Sequence, residues 1–176
     1  LICLLIPDEI IQQRMKLLQP VNMRLELKKG INHCSIINDS YSADLSSLNI
    51  ALNFLDNQSA GTKKGVILSD FLQSGLADDE LYKEIAITVK NHTVNKIIGI
   101  GEKISKFLPA AFADSSVPQE YFPNTEAFIQ HYRFSQFKEE TILVKGARVF
   151  EFEKIVQMLE QKVHQTVLEI NLNALA

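Results

Sequence analysis

Short apolar runs closed by turn residues alternate along this chain with stretches whose apolar residues recur every three or four positions. That alternation limits the possible folds more than any other feature. Gly65-Val66-Ile67-Leu68 reads as a central strand, with a polar loop at 57–64 before it and Ser69-Asp70 after it. Asp78-Asp79-Glu80 opens a helix, with its acids where the macrodipole favours them, and Leu81, Ile85 and Val89 form its apolar stripe. Residues 94–100 read as the next strand, ended by Gly99 and Gly101, and a helix is expected over about 102–107. A loop carrying Pro109 and Pro118 leads to a short strand, Glu120-Tyr121-Phe122, and a helix at 125–131. Thr141-Ile142-Leu143-Val144 is a strand ending in Lys145-Gly146-Ala147-Arg148. A helix over 149–162 then turns Val149, Phe152, Ile155, Val156 and Leu159 inward.

The first third obeys the same rule. Pro7 and Pro20 bracket a short helix at 8–19, and Met23-Arg24-Leu25-Glu26-Leu27 alternates like an edge strand. Gly30 allows a turn, and residues 34–37 form a short buried strand that runs into a polar knot, Asn38-Asp39-Ser40-Tyr41-Ser42-Ala43-Asp44. A helix follows over 45–57, with Leu45, Leu48, Ala51, Leu52 and Leu55 on one face and Asp44 as its N-cap. The expected fold is a three-layer, Rossmann-like α/β domain with a mostly parallel sheet over roughly residues 21–162. Residues 164–172 alternate like a further strand, with nothing obvious to pair with.

Composition excludes several functional classes. Net charge is −3 and the basic residues are scattered, unlike a nucleic-acid binder. The longest apolar run, Leu1 to Ile6, is far short of a membrane span, and it lacks a basic lead-in and a small-residue cleavage site. Cys3 and Cys34 make neither a disulfide framework nor a zinc pattern, which fits a cytoplasmic setting. His33, His92, His131 and His164 show no metal-ligand spacing. Gly99-Ile100-Gly101 lacks the third glycine of a dinucleotide fingerprint, so a tight strand–helix turn explains it better.

In open α/β sheets, ligands bind beyond the carboxyl ends of the strands. Three polar segments fall there: 38–44, 69–75 and 145–148. Asp39 can accept from the two hydroxyls of a ribose, while Lys145 and Arg148 can hold a carboxylate or phosphate. The plainer alternative is that Asp39 satisfies loop amides and the two cations are solvated.

In order, the motifs Met23-Arg24-Leu25-Glu26, Ile36 to Asp44 with Ser47-Leu48, Ile67 to Gly75 and Leu143 to Arg148 resemble the carboxyl-terminal domain of the Mur ligases. The resemblance covers roughly 21–162 and is nearest to the branch that adds D-alanyl-D-alanine to UDP-N-acetylmuramoyl-tripeptide. It implies an ATP-driven amide synthesis through an acyl phosphate. The phosphate loop and the Mg2+ ligands would lie in a central domain, over which this one closes. It assigns Arg24 to the nucleotide phosphates and Asp39 to the ribose. Tyr41, Ser42, Asp44, Asp70, Lys145 and Arg148 would line the dipeptide pocket. Ser42-Ala43-Asp44-Leu45 departs from the family's usual Asn-Ala-Asn-Pro, Ser69 stands for a glycine and Ala147 for a serine.

The chain starts without Met, and an excised fragment is expected. Residues 1–20 would be the tail of the central ATP-binding domain. Residues 163–176 are similar to the opening strand of alanine racemases, the pyridoxal-phosphate enzymes fused to this ligase in some bacteria. Such a fragment is expected to be inactive alone. A folylpolyglutamate synthase-type domain is the near alternative, opposed by the Leu-Val-Lys-Gly segment and the racemase-like tail. A non-catalytic α/β module that uses its polar loops on a protein partner is the alternative of a different class.

Overall fold

Along β2 (Ser35–Asp39), β3 (Lys63–Ser69), β4 (Lys96–Ile100) and β6 (Glu140–Lys145), neighbouring residues project to opposite faces of one sheet. All six residues of β6 are buried, as expected of a strand covered on both sides. With β1 (Glu26–Lys29) and β5 (Gln119–Phe122), the sheet order is β1-β2-β6-β3-β4-β5. β1 is antiparallel at one edge, and every other pairing is parallel. The computed structural model describes Ile10, residues 24–72 and residues 74–161. The expected helix at 8–19, apart from Ile10, and the strand-like stretch at 164–172 lie outside those residues.

Helices cover both faces. α1 (Leu45–Gln58), α2 (Asp78–Lys90) and α3 (Glu102–Ala111) bury Leu52, Ile85 and Ile104 against Ile37, Leu68, Ile97 and Leu143. α4 (Thr125–His131) and α5 (Glu153–Leu159) bury Phe128 and Ile155 against Ile36, Ile67, Ile98 and Ile142. The three-layer α/β expectation therefore holds, and its basis is the strand alternation itself.

Several expected boundaries move. The first strand is Glu26–Lys29, later than Met23 to Leu27, because Leu25 takes a positive φ of 47° that no strand continues through. The turn after it is made by Asn32 and His33, both left-handed, with Gly30 at an ordinary φ of −99°. Lys63 and Lys64, expected in a loop, open β3. α3 runs through Pro109 to Ala111, because buried Leu108 and Phe112 hold its last turn against the core despite the missing donor. The expected helix at 149–162 shortens most. Arg148–Phe150 is a 3-10 turn, Glu151 is left-handed, and α5 starts only at Glu153. Val149, expected inward, is 74% exposed, and Phe152 is the first core anchor instead. The cause lies at Gly146, where a Cβ would stand 2.5 Å from the Phe152 ring. The ring fills the space beside the chain as it leaves β6, so the helix cannot begin until it has passed.

Candidate functional site

β2, β6 and β3 run the same way, so their carboxyl ends make one rim. The register sets Asp39 opposite Lys145, and Lys145 opposite Leu68. Lys145 is 0% exposed, and its Nζ lies 2.6 Å from Asp39 Oδ2. The same ammonium donates to the Ser42 carbonyl at 3.0 Å. A lysine this deep keeps its charge only if it is paired and hydrogen-bonded. Asp39 supplies the pairing and Ser42 the extra acceptor. The polar knot is thereby tied to the end of β6, and Lys145 is a strut beneath the rim instead of a cation on its surface.

The far end of the knot is equally well held. The Asp44 carboxylate accepts from the Ser47 amide at 2.8 Å and from the Ser46 hydroxyl at 2.7 Å, the N-cap expected for α1. Burial raises its pKa, but the bonds from Ser46 and Ser47 and the nearby Lys145 charge outweigh that and hold the group down to about 2. A carboxylate whose folded pKa is depressed stabilises the fold above its unfolded pKa, and that stability is lost as pH falls through the folded value. The difference in stability between the parent and Asp44→Asn is therefore expected to be constant above about pH 4, and to vanish as pH falls toward about 2. Urea titrations at stepped pH would measure it, and a pH-independent difference would contradict the cap.

Between these anchors Tyr41 stands out at the tip, 40% exposed. The Arg24 guanidinium carbon lies 4.4 Å from its ring centroid and that of Arg148 lies 5.8 Å away. Both arginines are exposed, so their donors face solvent. Two guanidinium groups gathered around one aromatic ring suit an anion. Beside them is a cavity of about 260 Å³ lined by Ser42, Ala43, Asp44, Leu72, Ala147 and Val149.

Asp70 sits lower, buried under the same rim. Its carboxylate accepts from the Ile104 amide at 2.7 Å, the Lys103 amide at 3.2 Å and the Tyr82 hydroxyl at 3.2 Å. It caps α3 from across the sheet. Gly101 makes room for it, with a φ of 140° and a Cβ position only 2.4 Å from the Asp70 carboxyl carbon. Burial, together with the Asp70 charge, pushes the Tyr82 phenol well above its ordinary pKa, so it stays a proton donor to this carboxylate.

Of the residues expected at the site, Arg24, Asp39, Tyr41, Ser42, Asp44, Lys145 and Arg148 converge, and Asp70 lies beneath as a support. Sequence patterns missed Ser69 and Tyr82. Ser69 Oγ accepts from the Ala147 amide at 2.8 Å and donates to the Asp70 carbonyl, tying the segment after β6 to the end of β3. A single serine at a strand end carries no signal of that. A larger cavity, about 830 Å³, opens at the other end of the sheet near Lys63, Lys96 and Glu140. Two pairs of its charges offset one another, Lys96–Glu140 at 3.5 Å and Lys138–Glu139 at 3.9 Å. The geometry therefore favours the carboxyl rim.

No family model matches the chain. Over 162 residues it is 30% identical to the UDP-N-acetylmuramoyl-tripeptide–D-alanyl-D-alanine ligase of Buchnera aphidicola subsp. Baizongia pistaciae, covering 91% of this chain and 34% of the ligase. It is 27% identical over 146 residues to the ligase of the same name from Bacillus subtilis, covering 81% of this chain and 31% of that one. Among solved structures, MurF from Acinetobacter baumannii superposes with a TM-score of 0.71 at 18% identity, over 87% of this chain and 34% of that chain. The fold is that of the MurF carboxyl-terminal domain. MurF of Thermotoga maritima, solved in complex with ADP, gives a TM-score of 0.59 at 17% identity, over 80% of this chain and 31% of that one. The folylpolyglutamate synthase of Thermotoga maritima is a weaker match, with a TM-score of 0.53 at 11% identity, over 86% of this chain and 34% of that one. The chain spans about a third of the length of the curated MurF-type relatives it matches. Among its described residues no helix is long and apolar enough to cross a membrane.

Proposed function

We propose that this chain is the carboxyl-terminal, closing domain of a cytoplasmic ATP-dependent ligase that adds D-alanyl-D-alanine to UDP-N-acetylmuramoyl-tripeptide in peptidoglycan precursor synthesis. The observation that carries it is the gathering of Arg24, Tyr41 and Arg148 beside a small rim cavity. The exposed guanidinium of Arg24 fits a phosphate chain, so the residues present suit the nucleotide. Among the described residues no group of three or more His, Cys, Asp or Glu could hold a metal ion. Following the family resemblance, Mg2+ is assigned to the central domain, which in this proposal precedes residue 21 and contributes residues 1–20 as its tail.

ATP, when bound, supplies the phosphoryl group that activates a carboxylate for attack by an amine. This chain's residues bind and orient. Arg24 holds nucleotide phosphate. Asp39 keeps the ribose through the oxygen that Lys145 does not take. Tyr41 and Ser42 shape the rim, and the cavity, with small Ala43 and Ala147 in its wall, takes the methyl groups of the dipeptide. Arg148 is the exposed cation for the dipeptide's free carboxylate. Lys145, Asp44 and Asp70 act through the loops they hold. Residues 163–176 are proposed as the linker and first strand of a fused alanine racemase unit, with which pyridoxal phosphate would enter.

In the full-length protein, Arg24→Ala is expected to raise the KM for ATP about 10- to 100-fold, the loss of one charge-assisted hydrogen bond or two. Arg148→Ala should raise the KM for D-alanyl-D-alanine by a similar factor and leave that for ATP unchanged. Steady-state kinetics of ADP release measure both, and unchanged constants in both variants would overturn the assignment. The 176-residue chain by itself is expected to form no amide.

A further inference from the structure

The small rim cavity is bounded by the segments that leave three neighbouring strands. Ser42, Ala43 and Asp44 follow β2, Ala147 and Val149 follow β6, and Leu72 follows β3. Much of this wall is fixed from behind. Ala43 is buried in the core, the Ala147 amide is held by Ser69 Oγ at 2.8 Å, and the Asp44 carboxylate is engaged by Ser46 and Ser47. Leu72 and Val149 differ. They are 48% and 74% exposed, and neither packs in the core. Val149 is nevertheless held in place by backbone. The Phe150 amide donates to the Ala147 carbonyl at 2.9 Å and the Glu151 amide to the Arg148 carbonyl at 3.1 Å, closing the turn that carries it. Leu72 follows Phe71, which is buried and anchors the segment after β3.

We infer that Leu72 and Val149 are specificity-determining residues, an aliphatic gauge for the side chain of the dipeptide's carboxyl-terminal residue. The inference rests on the ligase reading given above, in which this cavity takes the dipeptide. Arg148 is the neighbour of Val149 in the chain, so a carboxylate held by its guanidinium brings the last residue of the dipeptide to the turn that bears Val149. The cavity, about 260 Å³, is smaller than the roughly 300–1,000 Å³ of sites for larger ligands, so it suits a short peptide end. A methyl group on the last residue fits within it. Added bulk there meets Leu72 and Val149, and each extra methylene in an apolar site of this kind discriminates by roughly 10- to 200-fold. The two exposed aliphatic side chains, which the core does not use, thereby acquire a purpose.

Steady-state kinetics of the full-length protein with D-alanyl-D-alanine and D-alanyl-D-valine test it. The parent is expected to prefer D-alanyl-D-alanine by at least about 100-fold in kcat/KM. The double variant Leu72→Ala, Val149→Ala should narrow that preference at least about 10-fold, chiefly by improving D-alanyl-D-valine, and leave the KM for ATP unchanged. Val149→Phe, which narrows the cavity, should raise the KM for D-alanyl-D-alanine. Ile87→Ala trims an exposed aliphatic that does not line the cavity, and should leave the preference as it is in the parent. If the double variant keeps the parent's preference while Arg148→Ala still raises the KM for the dipeptide, the gauge is overturned and the ligase reading stands. An equal loss on both dipeptides also overturns the gauge, since the two side chains would then bind without discriminating. So does a parent that uses both dipeptides equally well. A parent that forms no amide with D-alanyl-D-alanine overturns the ligase reading and the gauge with it.

Discussion

Lys145→Met is expected to destabilise the domain by about 3–5 kcal/mol, the cost of leaving one member of a buried ion pair without its partner. The stranded group is Asp39, whose carboxylate loses its cation while still almost wholly buried. The Ser42 carbonyl loses its donor as well, so the polar knot should loosen at the point where it carries Tyr41. Adding Asp39→Asn in the same chain should recover part of the loss, because a neutral amide is far cheaper to bury than a carboxylate. Urea unfolding of the parent, the single variant and the double variant measures both effects. A single-variant loss below about 1 kcal/mol would mean that the pair is worth no more than a surface bridge. The role of Lys145 as a strut would then fail.

Asp70→Ala is expected to cost about 2–4 kcal/mol, since it leaves two first-turn amides of α3 and the buried Tyr82 hydroxyl without their acceptor. Asp70→Asn keeps one accepting oxygen and should cost less than half as much. Tyr82→Phe, which removes only the hydroxyl, should cost about 1 kcal/mol. Protection of the Lys103 and Ile104 amides gives a local readout. If those amides exchange as slowly in Asp70→Ala as in the parent, the cap is not what holds the helix start. The comparison also separates support from ligand binding, because a supporting carboxylate changes stability whether or not nucleotide is present.

Lys145 and Asp70 are plain in the sequence as residue types, but their partners are not. Lys145 and Arg148 stand three apart in one polar segment, and both look like cations for an anionic ligand. The structure separates them. Lys145 closes a strand buried on both faces, opposite Asp39, and Arg148 lies beyond Gly146 on an exposed 3-10 turn. Asp39 and Asp70 both follow apolar runs at strand ends, yet one neutralises a buried lysine and the other caps a helix across the sheet. Asp44 alone declared its cap role in advance, because an N-cap is a contact between residues three apart.

What the chain determined by itself is what depends on near neighbours. The apolar runs specified a buried sheet, the three-and-four spacing specified α1 and α2, and Asp44 specified where α1 begins. Mostly parallel order followed, since helices between strands leave few other connections. What only the tertiary structure decided is which side chains are spent inside the protein and which remain for a ligand. That choice depends on strand register, on Phe152 filling the space beside Gly146, and on Asp70 reaching α3 past Gly101. Each of these contacts joins residues that local periodicity does not relate, so only the folded sheet brings them together.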